Sequence, residues 1–239
     1  MEKAKKKLVI LTGAGISAES GLRTFRDMNG LWEEYRVEDV ASPEGWHRNP
    51  ELVLRFYNER RRQLKNAKPN SAHTGLKELE ECFDVAIITQ NVDNLHEQAG
   101  SRNVVHLHGE LTKVRSTKNP NLIYTVDGTD VNMGDTCELG SQLRPHIVWF
   151  GEAVPMMDLA MDIASDADIF VVVGTSLNVY PAASLYRYIP STSPIYVVDP
   201  NTDVTLSAKG NKVFYIHEKA TLGVAKLKEI LLKTYCPES

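Results

Sequence analysis

The chain has 239 residues, of which 42% are hydrophobic and 24% are charged, and its formal net charge is −4. This length suffices for one large domain, or for one domain with a small insertion, with a sizeable core. The charge balance argues against a nucleic-acid-binding surface spread over the whole molecule. The apolar stretch after the lysine-rich N-terminus, residues 8–11, is too short for a signal peptide or a membrane span.

Three cysteines occur, Cys82, Cys137 and Cys236, and none of them belongs to a C-x-x-C pair. Thiols this far apart in the sequence fit a reducing compartment and rule out a disulfide framework. We therefore expect a cytoplasmic protein that has neither a membrane nor a nucleic acid as its partner.

Short apolar runs, typical of buried strands, alternate along the chain with segments of helical pattern. The runs cover residues 8–11, 85–88, 103–107, 169–173, 195–198 and 213–216. Several are continuous rather than alternating in polarity, as in parallel strands that are covered by helices on both faces. Helices are predicted at 50–65, at 72–82 behind a cap at Ser71, at 156–165 and at 222–232. The sequence thus predicts an α/β fold with a doubly wound parallel sheet.

Two stretches interrupt this alternation. Residues 112–143 are rich in Asn, Asp, Gly and Thr and lack apolar periodicity, which indicates a small inserted module. Residues 22–46 follow the first glycine-rich turn and mix aromatic with charged side chains, which is typical of a flexible lid over a ligand.

Polar side chains follow the second and third predicted strands at the points where these strands end. Gln90, Asn91 and Asp93 come after the strand at 85–88, and His108 follows the strand at 103–107. Open α/β sheets bind ligands at the carboxyl ends of their strands, so these side chains are predicted to share one site. A neutral imidazole there can accept a proton near neutral pH. Two ordinary polar turns are the alternative, because loop His and Asp residues are common.

Glycine and hydroxyl clusters follow other strands of the same sheet. The first strand leads into a turn of the kind whose backbone N–H groups receive a pyrophosphate, formed by Gly13, Ala14, Gly15, Ile16 and Ser17. Tight turns also use glycine for purely steric reasons. Two further strands end in Gly174, Thr175 and Ser176, and in Asp199 and Asn201. There, hydroxyls and a carboxylate are placed to bond phosphate or ribose, so three strand ends favour a nucleotide ligand.

Five segments, in this order and spacing, resemble the sirtuins, the NAD-dependent protein-lysine deacylases. They are G-A-G-I-S-A-E-S-G-L-R-T-F-R at 13–26, T-Q-N-V-D at 89–93, H-L-H-G at 106–109, L-R-P-H-I-V-W-F-G-E at 143–152 and G-T-S at 174–176. The resemblance implies a Rossmann-like NAD-binding domain built from residues 1–24, 84–108 and 144–239. Residues 25–83 would then supply a cofactor loop and the helical segment that lines the acyl pocket, and residues 109–143 the small module.

The resemblance also implies a reaction. The acyl oxygen of an acylated lysine attacks the nicotinamide ribose of NAD, nicotinamide leaves, and the products are free lysine and O-acyl-ADP-ribose. His108 would act as base on a ribose hydroxyl, Asn91 would position the ribose and its water, and Asp93 would hold the nicotinamide carboxamide. The other residues that the resemblance assigns to the cofactor are Gly13, Ala14, Gly15, Ile16, Ser17, Phe25, Arg26, Gln90, Gly174, Thr175, Ser176, Asp199, Asn201 and Ala220.

The resemblance places the substrate peptide along one segment of the chain. This segment would pair with an extended, acylated peptide as an added strand, and it consists of Val148, Trp149, Phe150 and Gly151. Ordinary core is the alternative for Trp149 and Phe150.

Tyr57 and Arg60 lie three residues apart in a predicted helix, so a phenol and a guanidinium can converge on one ligand carboxylate. A solvated basic face is the usual alternative for an arginine run. Y-x-x-R at this place, with the small Ala41 upstream, resembles the desuccinylase and demalonylase branch of the family. That branch implies succinyl- and malonyl-lysine as favoured substrates, with residual activity on acetyl-lysine.

The chain departs from the family pattern in the small module. Most sirtuins hold a structural zinc there with two C-x-x-C pairs, whereas Cys137 is the only thiol between residues 108 and 143. One soft ligand does not build a tetrahedral site, so we predict no zinc. Apolar contacts would hold the module together instead, and the candidates are Leu122, Ile123, Tyr124 and Val126. A second departure is Asp199, where the family commonly has Asn.

Three other functions stay open from the sequence. The first is a plain NAD-dependent deacetylase in which Tyr57 and Arg60 face solvent. The second is a catalytically silent NAD or ADP-ribose sensor, suggested by the missing zinc cysteines and by Asp199. The third, a dehydrogenase, has less support because the first turn lacks the full dinucleotide fingerprint.

Overall fold

The computed structural model describes residues 4–22, 31–32, 35–126, 130–206 and 210–236. Its strands are β1 (Lys7–Thr12), β2 (Leu31–Trp32), β3 (Tyr35–Arg36), β4 (Asp84–Thr89), β5 (Val104–His106), β6 (Gly109–Ser116), β7 (Ile123–Thr125), β8 (Leu143–Ile147), β9 (Ile169–Val173), β10 (Ile195–Val198) and β11 (Val213–Ile216). Its α-helices are α1 (Gly15–Ala18), α2 (Val37–Val40), α3 (Pro43–Arg48), α4 (Pro50–Asn66), α5 (Ser71–Glu78), α6 (Leu95–Gln98), α7 (Met157–Ser165) and α8 (Ala220–Tyr235). In the described parts of the chain, 3₁₀ helices cover Leu79–Glu81 and Ala182–Arg187.

Six strands form one parallel sheet in the order β11-β10-β9-β1-β4-β5. The chain therefore starts in the middle of the sheet and builds outward in both directions, as doubly wound folds do. The first three strands of this sheet in chain order, β1, β4 and β5, are neighbours. The predicted α/β fold with a Rossmann-like parallel sheet is confirmed.

Helices cover both faces of this sheet, which explains why the central parts of its inner strands are continuously apolar. Successive side chains of a strand point to opposite faces. On β1, Leu8 and Ile10 pack in the core layer that contains α5 and α8. Val9 and Leu11 pack on the opposite face with α7 and the 3₁₀ helix at Ala182–Arg187. Both sets of apolar side chains on β1 are therefore removed from water, so no polar alternation remains along residues 8–11.

The helix boundaries differ from the prediction at α5. The residue that caps it is Asn70 rather than Ser71, because the Asn70 side-chain oxygen accepts from the Ala72 N–H at 2.9 Å. The same side chain donates to the Ile16 carbonyl at 2.8 Å. Asn70 therefore ties the start of α5 to the glycine-rich turn, and the α-helix ends at Glu78, before the 3₁₀ turn.

The inserted module is a three-stranded antiparallel sheet in the order β7-β6-β8. Its core consists of Val114 and Val131, packed against Leu54 of α4, with Tyr124 and Val126 at the edge. Ile123 does not contribute as predicted, because alternation along β7 turns Tyr124 inward and leaves Ile123 44% exposed. Leu122 is half-buried outside this cluster.

Cys82 and Cys236 form a disulfide, with their Cα atoms 6.5 Å apart. The interpretation that the cysteines are too far apart to pair is wrong. The two residues are 154 positions apart in the sequence, but α8 returns along the sheet to the turn that precedes β4. Within the described ranges, no helix has the length and apolar character needed to cross a membrane.

Candidate active site

The carboxyl ends of five neighbouring strands, β10, β9, β1, β4 and β5, open into one cavity of about 670 Å³. Thr89 and His106 are register partners on β4 and β5, so the loops that follow these strands begin side by side. The cavity wall contains most of the residues predicted from the sequence: Gly13, Ala14, Gly15, Ser17, Ala41, Tyr57, Arg60, Gln90, Asn91, Asp93, His108, Val148, Trp149, Phe150, Gly151, Gly174, Thr175, Ser176, Asp199 and Ala220. One cavity thus contains both the residues predicted to bind the nucleotide, around residues 13–17 and 174–176, and those predicted to bind the acyl group, around Tyr57 and Arg60. These two regions are the nucleotide side and the acyl side of the cavity.

His108 is held through one nitrogen of its ring. Nδ1 lies 3.0 Å from the main-chain oxygen of Gln90. Because a carbonyl only accepts, Nδ1 carries the proton and Nε2 keeps the lone pair that a base requires. Burial lowers the pKa of His108, and the bond to Gln90 opposes this only in part. The imidazole is therefore neutral at physiological pH.

Asn91 is buried and fixed by bonds at both its side chain and its backbone. Its Nδ2 donates to the Gly13 carbonyl and to the Ser17 hydroxyl, both at 3.1 Å, and its N–H donates to the Thr89 hydroxyl at 3.0 Å. These bonds connect the loop after β4 to the turn after β1. The amide is positioned before any ligand enters.

Asp93 is 6% exposed and lies beside the same turn. Its Oδ1 accepts from the Leu95 N–H at 3.1 Å, at the start of α6. Burial raises its pKa, and the Leu95 bond and the Ser17 hydroxyl offset only part of that effect. A buried carboxylate without a cation needs donors, and a carboxamide N–H₂ supplies them.

His106, in contrast, serves the framework. Its Nδ1 donates to the Asn91 carbonyl at 3.1 Å, and its Nε2 donates to the Glu97 carboxylate at 2.7 Å. Burial alone would lower the pKa of His106, but the bond and charge of Glu97 outweigh it and raise the pKa. The pKa values of two histidines only two residues apart are thus shifted in opposite directions by their neighbours.

The two glycine segments touch each other through their main chains. The Gly15 N–H donates to the Gly174 carbonyl at 2.8 Å, and a Cβ on Gly15 would lie 2.7 Å from the Gly174 Cα. Gly174 has a φ of +63°, in the left-handed region that favours glycine. Both the steric and the ligand-binding interpretations of this turn therefore apply, because the same turn also lines the cavity.

Some predicted cofactor residues lie elsewhere. Ile16 is fully buried in the sheet core rather than in the cavity wall. Asn201 is exposed and turns away, with its Oδ1 accepting from the Asp203 N–H at 2.9 Å. Asp199 does line the cavity, but it is 2% exposed and accepts from the Asn201 N–H, so its carboxylate stabilises its own loop. Phe25 and Arg26 lie outside the described residues.

The residues predicted to bind the acyl group lie on α4 and after the end of β8. Tyr57 is fully buried and Arg60 is 6% exposed, and both side chains line the cavity. The Arg60 guanidinium lies 4.9 Å from the centre of the Phe56 ring. Burial raises the pKa of Tyr57, so its phenol stays protonated. The two residues do not form a solvated basic face.

The segment after β8 lines the cavity as a turn rather than as an open strand. The Val148 N–H donates to the His108 carbonyl, the Trp149 N–H to the Glu152 carboxylate, and the Phe150 N–H to the Ala41 carbonyl. These amides are thus occupied, so the expected strand pairing with a peptide would have to use the carbonyl groups and Gly151. Trp149 is core, whereas Phe150 is 50% exposed.

Cys137 occupies the inner side of the small module, where its Sγ bonds to the hydroxyls of Ser116 and Ser141 at 3.3 and 3.1 Å. These bonds lower the pKa of Cys137 to about 6. Across the residues that the structure describes, no three His, Cys, Asp or Glu side chains converge as a metal site would require. That the small module binds no zinc stays a prediction.

Sequence reasoning missed several residues of the cavity wall. Gln63 lies one turn beyond Arg60 on α4, and helical spacing could have identified it. Lys219 lies just before α8 and brings a positive charge to the nucleotide side. Glu152 belongs to the quoted 143–152 segment, but its bonds to Arg144 and Arg115 across the strand end are not visible in the sequence.

Comparison with known proteins identifies the family. The model of the Sir2 family matches residues 13–181. A protein of Bacteroides thetaiotaomicron named NAD-dependent protein deacylase is 53% identical over 232 residues, covering 95% of this chain and 98% of the relative. A Helicobacter pylori protein of the same name is 57% identical over 195 residues, covering 82% and 85% of the two chains. The chain belongs to the Sir2 family, the sirtuins.

Solved structures give the same result. A Sir2 homologue in complex with NAD matches with a TM-score of 0.84 and 41% identity, covering 97% of this chain and 91% of that one. A mutant Sir2 homologue in complex with ADP-ribose matches with a TM-score of 0.86 and 40% identity, covering 98% and 95%. These complexes agree with the nucleotide side of the cavity described above.

Proposed function

We propose that this chain is an NAD-dependent protein-lysine deacylase that prefers lysines carrying a succinyl or malonyl group. One observation carries the proposal: the cavity that contains the neutral His108 also contains the buried phenol of Tyr57 and the buried guanidinium of Arg60. A base and an anion-binding pair therefore face the same ligand space. The names of the curated relatives support the deacylase activity.

When bound, NAD supplies a ribose that accepts the acyl oxygen and a nicotinamide that leaves. The residues around the glycine turn fit this cofactor, because the Ser17, Thr175 and Ser176 hydroxyls and the Gln90 amide bring hydrogen-bonding groups to the nucleotide side. Lys219 adds a positive charge on that side. These groups suit a pyrophosphate and a ribose.

His108 takes a proton from a ribose hydroxyl. Its Nδ1–H is held by the Gln90 carbonyl, which orients the ring and leaves Nε2 as the acceptor. Because its pKa is lowered, the imidazole is already unprotonated at neutral pH and can accept a proton. Asn91 orients the ribose from a side chain already fixed by Gly13 and Ser17. Asp93 accepts from the nicotinamide carboxamide, which satisfies its buried oxygens.

The acyl group reaches Tyr57 and Arg60. A carboxylate at its far end accepts from the phenol and pairs with the guanidinium, whose planar fork suits it. The attraction is stronger than in water because both side chains are buried. Ala41, also in the wall, leaves room for the longer acyl chain. An acetyl group fits the same space without these bonds, so a slower deacetylation accompanies the main activity.

The remaining parts of the proposal concern partners and organisation. Acylated lysines of proteins or peptides bind beside the exposed Phe150 and Gly151. The net charge of −4 supports a protein that uses neither nucleic acid nor membrane as a partner. We place the protein in the cytoplasm, a reducing compartment in which Cys82 and Cys236 would be present as free thiols. The large domain comprises residues 1–24, 84–108 and 144–239, with residues 25–83 lining the cofactor and acyl sites and residues 109–143 forming the module.

The test is a kinetic comparison on one peptide sequence carrying succinyl-, malonyl- or acetyl-lysine. We expect kcat/KM to be highest for the acidic acyl groups. Arg60→Met should lower the succinyl-to-acetyl ratio of kcat/KM by about a hundredfold, because it leaves the ligand carboxylate without its charge partner. Arg55→Met, on the exposed side of the same helix, is the matched control.

Three results would count against the proposal. Equal kcat/KM for succinyl- and acetyl-lysine would indicate a plain deacetylase. The same ratio in wild type and Arg60→Met would show that Arg60 does not bind the acyl group. No nicotinamide release from the wild type with any acyl peptide would indicate a catalytically silent nucleotide sensor instead.

A further inference from the structure

The hydroxyl of Tyr57 has a donor but no acceptor within the described part of the chain. The indole N–H of Trp149 donates to the Tyr57 oxygen at 3.0 Å, with both side chains buried. An indole nitrogen only donates, so Tyr57 is the acceptor in this bond. The Tyr57 proton must therefore be directed elsewhere, and the side chain lines the cavity.

The Trp149 ring contacts both a cationic and an aromatic side chain. The Arg144 guanidinium carbon stacks 3.4 Å from the centre of the ring, and Trp46 packs against the ring at a centroid distance of 5.8 Å. The main-chain N–H of Trp149 donates to the Glu152 carboxylate at 2.8 Å, and the Arg144 guanidinium donates to the same carboxylate at 2.7 and 3.1 Å. The indole therefore has one orientation, and so has its bond to Tyr57.

We propose that Trp149 is a positioning residue for acyl selection: its indole N–H occupies the Tyr57 oxygen so that the Tyr57 proton is presented to an acceptor on the acyl group. This inference rests on the proposed function. A hydroxyl rotates freely and can either donate or accept. Once the Trp149 indole occupies the acceptor position of the Tyr57 hydroxyl, this hydroxyl can only donate. It therefore favours an acyl group that ends in a carboxylate over one that ends in a donor or in an apolar group.

The charges around Tyr57 act in the same direction. Arg144 and Arg115 both pair with Glu152, so two positive charges and one negative charge leave a net charge of +1 behind the phenol. Arg60 adds another positive charge on the cavity side. The charges of Arg144, Glu152 and Arg60 all act on Tyr57. The acyl side of the cavity therefore carries a net positive charge, and this arrangement of charges exists before the substrate enters.

The experiment separates this role from simple packing. Trp149→Phe keeps an aromatic ring in the core and removes the donor to Tyr57. We expect KM for the succinyl peptide to rise by about threefold to tenfold, the size of one lost hydrogen bond, and the succinyl-to-acetyl ratio of kcat/KM to fall by the same factor. Trp46→Phe removes an indole N–H from the same aromatic cluster and is the matched control, which should change neither substrate.

A double-mutant cycle tests whether Trp149 acts through Tyr57. In a Tyr57→Phe background, Trp149→Phe should raise the succinyl KM no further. Additive effects, or an equal loss for succinyl and acetyl peptides, would overturn the inference in favour of packing. A wild type without acidic-acyl preference would overturn the proposed function and this inference together. A wild type with that preference, and a Trp149→Phe variant that keeps it unchanged, would overturn this inference alone.

Discussion

Asn58 on α4 makes two hydrogen bonds to the main chain of Val131 in the inserted module, one through each end of its side-chain amide and both 3.0 Å long. Arg61 donates to the same Asn58 oxygen. The amide is 4% exposed, so water does not compete for these bonds. This pair fastens the module to the helix that also carries the acyl-binding residues.

Asn58→Ala should loosen the module. The variant leaves the Val131 N–H and carbonyl buried without partners, which costs about 1–3 kcal/mol for each such group. We expect a lower free energy of unfolding in urea and faster proteolysis of the chain near Val131. Asn66→Ala, which removes an exposed bond to the Arg62 carbonyl on the same helix, should change neither. Equal proteolysis rates for the two variants would contradict this role of Asn58.

The acid side of the pH–rate profile should report His108. The base must be neutral, and burial lowers its pKa from the ordinary 6.5. Protonation therefore removes activity only below that pH, and we expect kcat/KM to be constant from pH 7 downward until the acid limb begins. His108→Ala should lower kcat by about 10²–10⁴, and the exposed His47→Ala should have little effect. An acid limb centred above pH 6.5 would argue against His108 as the base.

Stability should also decline in mild acid because of two buried histidines. Burial lowers the pKa of His73 to about 4 and that of His96 to about 3. The unfolded chain takes up these protons near pH 6.5, whereas the folded chain excludes them. The free energy of unfolding is thus unaffected by these groups above pH 6.5 and falls as the pH decreases, by about 2 kcal/mol per histidine at pH 5. Urea titrations at pH 7.5 and 5.0 measure this.

His73→Gln and His96→Gln each remove one of the two titrations, so the loss of stability between pH 7.5 and 5.0 should be smaller in either variant. An unchanged pH dependence would show that other groups cause it. His96 also donates to the Thr12 hydroxyl, which donates to Thr89 beneath Asn91. The absolute stability of its variant should therefore fall at both pH values.

The Cys82–Cys236 disulfide should stabilise the chain only under oxidising conditions. The bond links residues that are 154 positions apart and restrains the unfolded chain, which should raise the free energy of unfolding by about 2–4 kcal/mol. Cys236→Ser should thus lower the midpoint of thermal unfolding in oxidised samples. In a reducing buffer, variant and wild type should unfold at similar temperatures. An equal difference in both buffers would show that the two sulfurs stabilise by packing rather than by a bond.

The sequence was informative where one local pattern determines the structure. Continuous apolar runs such as 169–173 and 195–198 became strands with the predicted bounds, because parallel strands bury both faces. The loops after them converged, as the carboxyl ends of neighbouring strands must. Most of the candidate site follows from that rule together with the family resemblance.

The contacts that the sequence did not reveal join distant residues. Trp149 and Tyr57 are 92 positions apart, and their bond depends on how β8 ends against α4. Asn70, rather than Ser71, caps α5 because it also bonds to the turn after β1. The strands of the small module show little apolar periodicity, since the module's core contains few apolar side chains and is completed by Leu54 of α4.

The contact between Gly15 and Gly174 has a consequence for protein engineering. The two turns meet through backbone atoms, and a methyl group on either residue would collide with the other main chain. No repertoire of side chains is therefore available at this point for redesigning cofactor preference. The opposite wall is built from side chains on α4 and around Trp149, so libraries intended to create new acyl specificities belong there.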